Sequence, residues 1–338
     1  MSLAPLLHLL RRKQLIPALK TNALFKPFYQ LSFIAAARNS GLMEELGGEG
    51  KNLQQLGTSW GSDAKSQEAM TAWLQVGESL GLIEQAQGSF RLKGLASVLS
   101  QPENDATLAL AQEVAELHHK LIMQTPEKLR QQQLWQLSDQ NGELTARSSR
   151  ALEAFQIQAI DKVIPGDGSL SLLEIGCGSG FYIQYAMMRN PALRVLGLEL
   201  QAEVAEVARR YLRTCQPEGE VTIEVMDIRD KPAAAEFDIA SLYNNIYYFP
   251  VEERVALLRH IRSMLKPQGR LLLTTCCQGG NPGIGLLNLW GAATAGGGRL
   301  PSPEEMQQQL HQAGYAAVDT WRLIPGDSFY AFCARNQS

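Results

Sequence analysis

From Ser169 onward, short apolar runs recur along the chain with helical stretches between them. The runs are Leu172–Ile175, Arg194–Leu198, Val221–Val225, Phe237–Leu242, Arg270–Thr275, Ala316–Leu323 and Ser328–Cys333. Helical stretches separate the first six, which predicts parallel strands joined by crossover helices. The expected fold is an α/β, doubly wound, Rossmann-like sheet of seven strands. The Ile324–Asp327 turn between the last two runs is too short for a crossover. It predicts an antiparallel hairpin at that edge.

The first half reads differently. Phe25, Phe28, Tyr29, Ser32, Phe33 and Ala36 fall on one helix face, and Gly41 closes that helix. Leu53–Leu56 is a short helical piece. Asp63 can cap a longer helix over Ser66–Leu80, with Met70, Trp73, Leu74, Val76 and Leu80 as its apolar members. Residues 81–92 predict two short strands around a Gln87-Gly88 turn. Helix, short helix, long helix and hairpin make a winged-helix pattern. Residues 103–163 continue as helices punctuated by Pro102 and Pro126, with a polar, Gln-rich surface connection over 124–142. Pro165, Gly166 and Gly168 mark a boundary. The expected organisation is a winged-helix unit over 1–100, a helical connector over 101–164, and an α/β domain over 165–338.

Charge narrows the role of the winged helix. From Gly41 to Ser100 there are four bases against seven acids, and the would-be recognition helix carries Glu68 and Glu78. Binding DNA requires a basic face to neutralise phosphates. The unit has the wrong sign and reads as a packing and dimerisation module. The whole chain of 338 residues, with 31 Lys plus Arg and 34 Asp plus Glu, has no overall field for nucleic acid or an anionic membrane. No apolar run reaches the roughly 18–20 residues of a membrane span. Leu3–Leu10 is apolar, but Arg11, Arg12 and Lys13 follow it, the reverse of a secretory signal. Five cysteines without C-x-x-C spacing point to a reducing cytoplasm.

The chemistry is concentrated at strand ends. The first strand runs into Glu174, Gly176, Gly178 and Gly180 in an E-x-G-x-G-x-G pattern. A Gly-rich turn between strand and helix lets a ligand approach the backbone closely. The dinucleotide fingerprint G-x-G-x-x-G would place its third glycine on Phe181, which disfavours a nicotinamide dehydrogenase. Glu174 would repel a pyrophosphate and suits a cofactor with a positive amino-acid end. Glu199, followed by Leu200, ends the second strand where an acid can accept from ribose hydroxyls. Asp227, followed by Ile228, ends the third within reach of an adenine amino group. Three acids in register with a Gly-rich turn are poorly explained as three unrelated surface acids.

These residues resemble the motifs of the class I S-adenosylmethionine-dependent methyltransferases. Glu174–Gly180 is similar to their first motif, Glu199 to their ribose-binding acid, and Asp227-Ile228 to their adenine-contact pair. Met264–Leu273 is similar to their late helix–turn–strand motif. The N-terminal pattern resembles the dimerisation domain of two-domain, small-molecule O-methyltransferases. The resemblance implies S-adenosyl-L-methionine as cofactor, a small-molecule acceptor, a homodimer, and in-line transfer to O or activated C, less readily to N. It also implies that the protein chiefly positions the reactants. The alternative is a catalytically silent, cofactor-sensing winged-helix regulator.

After the fourth strand the chain reads Tyr243, Asn244, Asn245, Ile246, Tyr247, Tyr248, Phe249 and Pro250. The Asn-Pro-Pro-Tyr type of sequence used by many base N-methylating enzymes is absent here. Plant-type O-methyltransferases carry a catalytic His in this region, and aligning on the acids of the next helix puts it on Tyr247. A tyrosine, with an ordinary pKa near ~10, is a poor base at neutral pH. Tyr247 and Asn245 are the catalytic candidates, as groups that orient an acceptor. Asn244 is expected at the cofactor's methionine end. Cys276 and Cys277 are candidates for lining the pocket; no metal cluster is expected. His118 and His119 read as solvated helix surface, as does His260 beside Arg254, Arg259 and Arg262. Gly291–Gly298 reads as a mobile lid, ended by a capping box at Ser302, Pro303 and Glu305.

Overall fold

The computed structural model describes residues 12–337. The chain divides into two compact units, the first ending at Leu117 and the second starting at His118. The division falls inside the helical stretch that separates the two sequence patterns. The apolar Leu3–Leu10 segment lies outside the described residues. Among those described, no helix is long and apolar enough to cross a membrane.

Unit one begins with helix α1 (Leu15–Asn39), followed by α2 (Leu42–Leu46), α3 (Leu53–Trp60) and α4 (Ala64–Ser79). Asp63 caps α4 as its sequence position implies, accepting from the Lys65 and Ser66 N–H groups at 3.1 Å each. Strands β1 (Ile83–Ala86) and β2 (Ser89–Leu92) form the expected antiparallel hairpin. Helices α5 (Gly94–Leu99) and α6 (Asp105–Glu113) close the unit. Its core stacks Phe33 on Trp73 and Trp73 on Trp60, with ring centroids 4.9 and 5.4 Å apart, above buried Leu56, Leu74 and Phe90. The aromatic face of α1 is only partly used. Phe33 is buried, whereas Phe25, Phe28 and Tyr29 are 45–50 % exposed.

Unit two opens with helix α7 (His119–Arg130), which includes Pro126. The sequence punctuation fails here because Leu121 and Thr125 bury one face, and Thr125 Oγ1 accepts from the Trp135 indole N–H at 2.9 Å. Helices α8 (Gly142–Ser148) and α9 (Glu153–Val163) lead to the sheet. Its strands are β3 (Ser171–Ile175), β4 (Arg194–Glu199), β5 (Val221–Val225), β6 (Phe237–Tyr243), β7 (Leu265–Cys276), β8 (Ala317–Arg322) and β9 (Phe329–Arg335). The order is β5-β4-β3-β6-β7-β9-β8. The first five are parallel, and β9 is antiparallel to both neighbours. Every residue of β3 is buried, as a central parallel strand requires.

Helices α10 (Phe181–Arg189) and α11 (Ala202–Cys215) make the first two crossovers, and α12 (Arg254–Met264) joins β6 to β7. Between β5 and β6 the expected helix is missing. A 3₁₀ turn, Ile228–Asp230, is followed by Lys231 held extended before Pro232. A residue preceding proline is pushed out of the helical region, which accounts for the difference. After β7 come α13 (Pro282–Ala293) and α14 (Pro303–Gln312). The predicted capping box opens α14, with Ser302 Oγ accepting from the Glu305 N–H at 3.1 Å. Arg254 is fully buried. It donates to the Phe249 carbonyl at 3.1 Å and the Arg299 carbonyl at 2.7 Å, and burial pulls its pKa down to about 10.

Candidate active site

The strand order reverses between β3 and β6. In open α/β sheets, ligands bind beyond the carboxyl ends of the strands at such a switch point. Here that place is formed by the turn Gly176–Gly180. Its backbone donors are satisfied by the neighbouring strand: Gly176 and Cys177 N–H both reach the Leu198 carbonyl, at 2.8 and 3.0 Å. The Gly178 N–H donates to Glu199 Oε2 at 3.0 Å. Gly176 and Gly178 have φ of 67° and 54°, a region that disfavours side chains. A Cβ on Gly176 would collide with the Asn245 amide, whereas one on Gly178 would meet only Ala146, at 3.9 Å. Gly178 thus leaves its side of the turn open.

A cavity lies against this turn. Its lining includes Ile175, Gly176, Gly178, Glu199, Leu200, Asp227 and Ile228, and beyond them Asn244, Asn245 and Tyr247. Nine of the eleven residues singled out by sequence therefore meet in one place. The other two, Glu174 and Gly180, stand behind the lining. Glu199 is buried and receives N–H bonds at both oxygens, Gly178 on one and Gln201 on the other at 3.1 Å. Desolvation raises its pKa, and those backbone bonds oppose the rise. Asp227 behaves oppositely: the Arg229 guanidinium, 2.6 Å away, holds its carboxyl below the usual range.

The asparagines are partly committed to the fold. Asn244 Oδ1 accepts from the Cys276 N–H at 3.0 Å, tying β6 to β7. Asn245 donates through Nδ2 to the Ile175 carbonyl at 2.7 Å, while its buried Oδ1 has no protein partner. Tyr247 is buried and packs on Tyr248 with ring centroids 4.5 Å apart. Tyr248 and Phe249, beside the candidate Tyr247 in sequence, also line the cavity, as do Trp290, Gln140 and Leu137, which sequence reasoning missed. The Tyr248 hydroxyl donates to Gln140 Oε1 at 3.0 Å. That contact spans 108 residues, so no local signal announced it.

The segment read as a lid lies in the cavity wall and is tied to its neighbours. Gly291–Ala293 belong to α13, and the segment after it is held at several points. Trp135 and Ala293 pair through backbone at 2.8 Å, as do Ala295 and Trp135, and the Gly298 N–H reaches the Tyr247 carbonyl at 2.9 Å. Cys276 and Cys277 do not line the cavity; burial pushes both thiols up to about 12. His118, His119 and His260 are absent from its wall. Half-buried His260 instead contacts the Ile228 carbonyl through Nε2 at 3.1 Å. Among the described residues, the only ionisable acids and bases lining the cavity besides tyrosine are Glu199, Asp227 and Arg229. No group of three metal-ligating side chains occurs among them.

This turn, its strand-end acids and the reversal of strand order meet at one end of the sheet. Residues 172–269 match a family model described as a methyltransferase domain. Demethylspheroidene O-methyltransferase of Rhodobacter capsulatus is 24 % identical over 191 residues, covering 56 % of this chain and 46 % of that protein. The chain spans less than half the length of the curated relatives it matches. In structure it is similar to human N-acetylserotonin methyltransferase solved with S-adenosylmethionine, with TM-score 0.71 and 16 % identity over 96 % of this chain and 98 % of that one. It is also similar to the mitomycin 7-O-methyltransferase MmcR, with TM-score 0.74 and 18 % identity over 96 % and 99 %.

Behind the cavity, Glu174 is 1 % exposed and pairs in register with Gly197 and Ser241. Its Oε2 has no partner, and burial raises its pKa to about 8 against a lowering contact from Ser241. The folded carboxyl keeps its proton up to that pH, whereas an unfolded one releases it near ~4.3. Between these values the folded state binds more protons. The stability contributed is therefore complete at low pH and is lost as pH rises through about 8. Melting temperatures of the cofactor-free protein should fall from pH 6 to 8.5, and Glu174→Gln should flatten that fall. Equal slopes in both proteins would contradict a protonated Glu174.

Proposed function

We propose that this protein is an S-adenosylmethionine-dependent methyltransferase acting on a small molecule. The observation that carries the reading is the cavity at the switch point, where an open Gly-rich turn meets two strand-end acids. The residues present fit the cofactor. Gly178 offers a backbone surface unobstructed by its own side chain, Glu199 offers lone pairs to ribose hydroxyls, and Asp227 offers one to an adenine amino group. Leu200 and Ile228 supply apolar walls for the base. When bound, the cofactor supplies an electrophilic methyl group on a sulfonium that leaves as a neutral thioether.

The chain's own part is to bind, orient and exclude water. Tyr247, Tyr248, Phe249 and Trp290 form an aromatic surround for an uncharged, flat acceptor. Among the described residues, no histidine or lysine stands in the wall to take a proton. The acceptor is therefore one whose proton leaves easily, a phenol or enol oxygen or an enolised carbon, and the proton passes to solvent. The Tyr247 hydroxyl orients that acceptor, and the free Asn245 Oδ1 offers it a second polar contact.

We also assign unit one a winged-helix dimerisation role in the cytoplasm. The support is an apolar run on α1, where Ile16, Leu19 and Leu24 are 60–69 % exposed beside Phe25, Phe28 and Tyr29. Contiguous exposed apolar surface of this kind marks an interface.

Three outcomes are expected. Glu199→Ala should weaken S-adenosylhomocysteine in calorimetry, by on the order of 1.5–3 kcal/mol per charge-assisted bond lost. Unchanged affinity in a folded variant would displace the ribose from Glu199. Tyr247→Phe should lower turnover by about tenfold or less, the size of one neutral hydrogen bond, whereas a general base contributes 10²–10⁴-fold. A thousandfold loss in kcat with intact cofactor affinity would make Tyr247 the base. Light scattering at micromolar concentration should give a dimer for the full chain and a monomer after Phe25→Asp with Phe28→Asp. A monomeric wild type would sink the assembly.

A further inference from the structure

Asp227 is not a bare acceptor. The Arg229 backbone N–H donates to Oδ1 at 2.9 Å, its Nε lies 3.1 Å from both carboxylate oxygens, and its Nη2 donates to Oδ2 at 2.6 Å. On the far side, Arg229 Nη1 reaches Glu253 Oε2 at 3.4 Å, and the guanidinium stands 5.8 Å from the Phe249 ring. The 3₁₀ turn that carries both residues is braced by His260 at the Ile228 carbonyl. Arg229 is half-exposed and lines the cavity with Asp227, Ile228, Met226 and Leu200. A pair this exposed adds little to stability. Its effect is geometric.

A carboxylate has roughly four lone-pair sites. Three N–H donors of Arg229 occupy most of them, and they fix the plane of the group. From this, and resting on the cofactor reading above, we infer that Arg229 is a positioning residue that leaves Asp227 one aimed acceptor site and so selects a 6-amino purine. An amino group donates to that site. A 6-oxo purine presents an oxygen to it and is repelled. The planar fork of arginine supplies the fixed geometry; a lysine would supply charge without it.

Calorimetry with S-adenosylhomocysteine and S-inosylhomocysteine tests this. The wild type should prefer the adenosyl compound by at least about tenfold, the size of one hydrogen bond to a charged acceptor. Arg229→Ala should lose most of that preference by weakening the adenosyl compound about tenfold, with the inosyl compound nearly unchanged. Arg229→Lys should resemble Arg229→Ala. A merely structural role would weaken both ligands together and overturn the inference, as would full discrimination in either variant. Equal wild-type affinity for the two ligands would overturn it and leave the cofactor reading standing. Failure of the wild type to bind either would remove both.

Discussion

The hydrogen bond from the Gly178 N–H to Glu199 is the constraint on which the site depends. A strand buried on both faces must end, reverse and feed a helix within five residues, and its backbone donors cannot be left unpaired. β4 solves this from the side: the Leu198 carbonyl takes two donors and the Glu199 carboxylate a third. The turn is therefore shaped by its neighbour strand as much as by its own glycines. The same carboxylate faces the cavity. Asn245 completes the frame from β6, fastening the Ile175 carbonyl beneath Gly176.

The two ends of the cavity differ in charge, and the division has a chemical consequence. Its ionic groups, Glu199, Asp227 and Arg229, stand together at the ends of β4 and β5. The other end is made of aromatic rings and neutral amides, closed by the pinned segment after α13. On the function proposed above, this neutral end is where the acceptor is aligned.

The sheet was legible because parallel strands covered on both faces read as unbroken apolar runs. The glycines and acids at their ends were legible because turn and acid sit within a few residues of each strand. What escaped depends on distant partners. Pro126 stays inside a helix whose Thr125 receives Trp135, and buried Arg254 is received by the Phe249 carbonyl and by that of Arg299, 45 residues on. The Gly-rich segment after β7 read as a lid, yet Trp135 and Tyr247 hold its backbone. Lys231-Pro232 was a local signal against a helix between β5 and β6. Arg229, two residues from Asp227, was likewise within reach of a sequence reading, as a base placed to pair with an acid already singled out.

The central claim is that the cavity at the β3–β6 switch point receives the cofactor. A crystal structure of the protein with S-adenosylhomocysteine tests it most directly. The account predicts ribose hydroxyls within hydrogen-bond distance of Glu199, the adenine amino group on Asp227 between Leu200 and Ile228, and the sulfur directed toward Tyr247. Density for the ligand elsewhere, or with its ribose remote from Glu199, would contradict it.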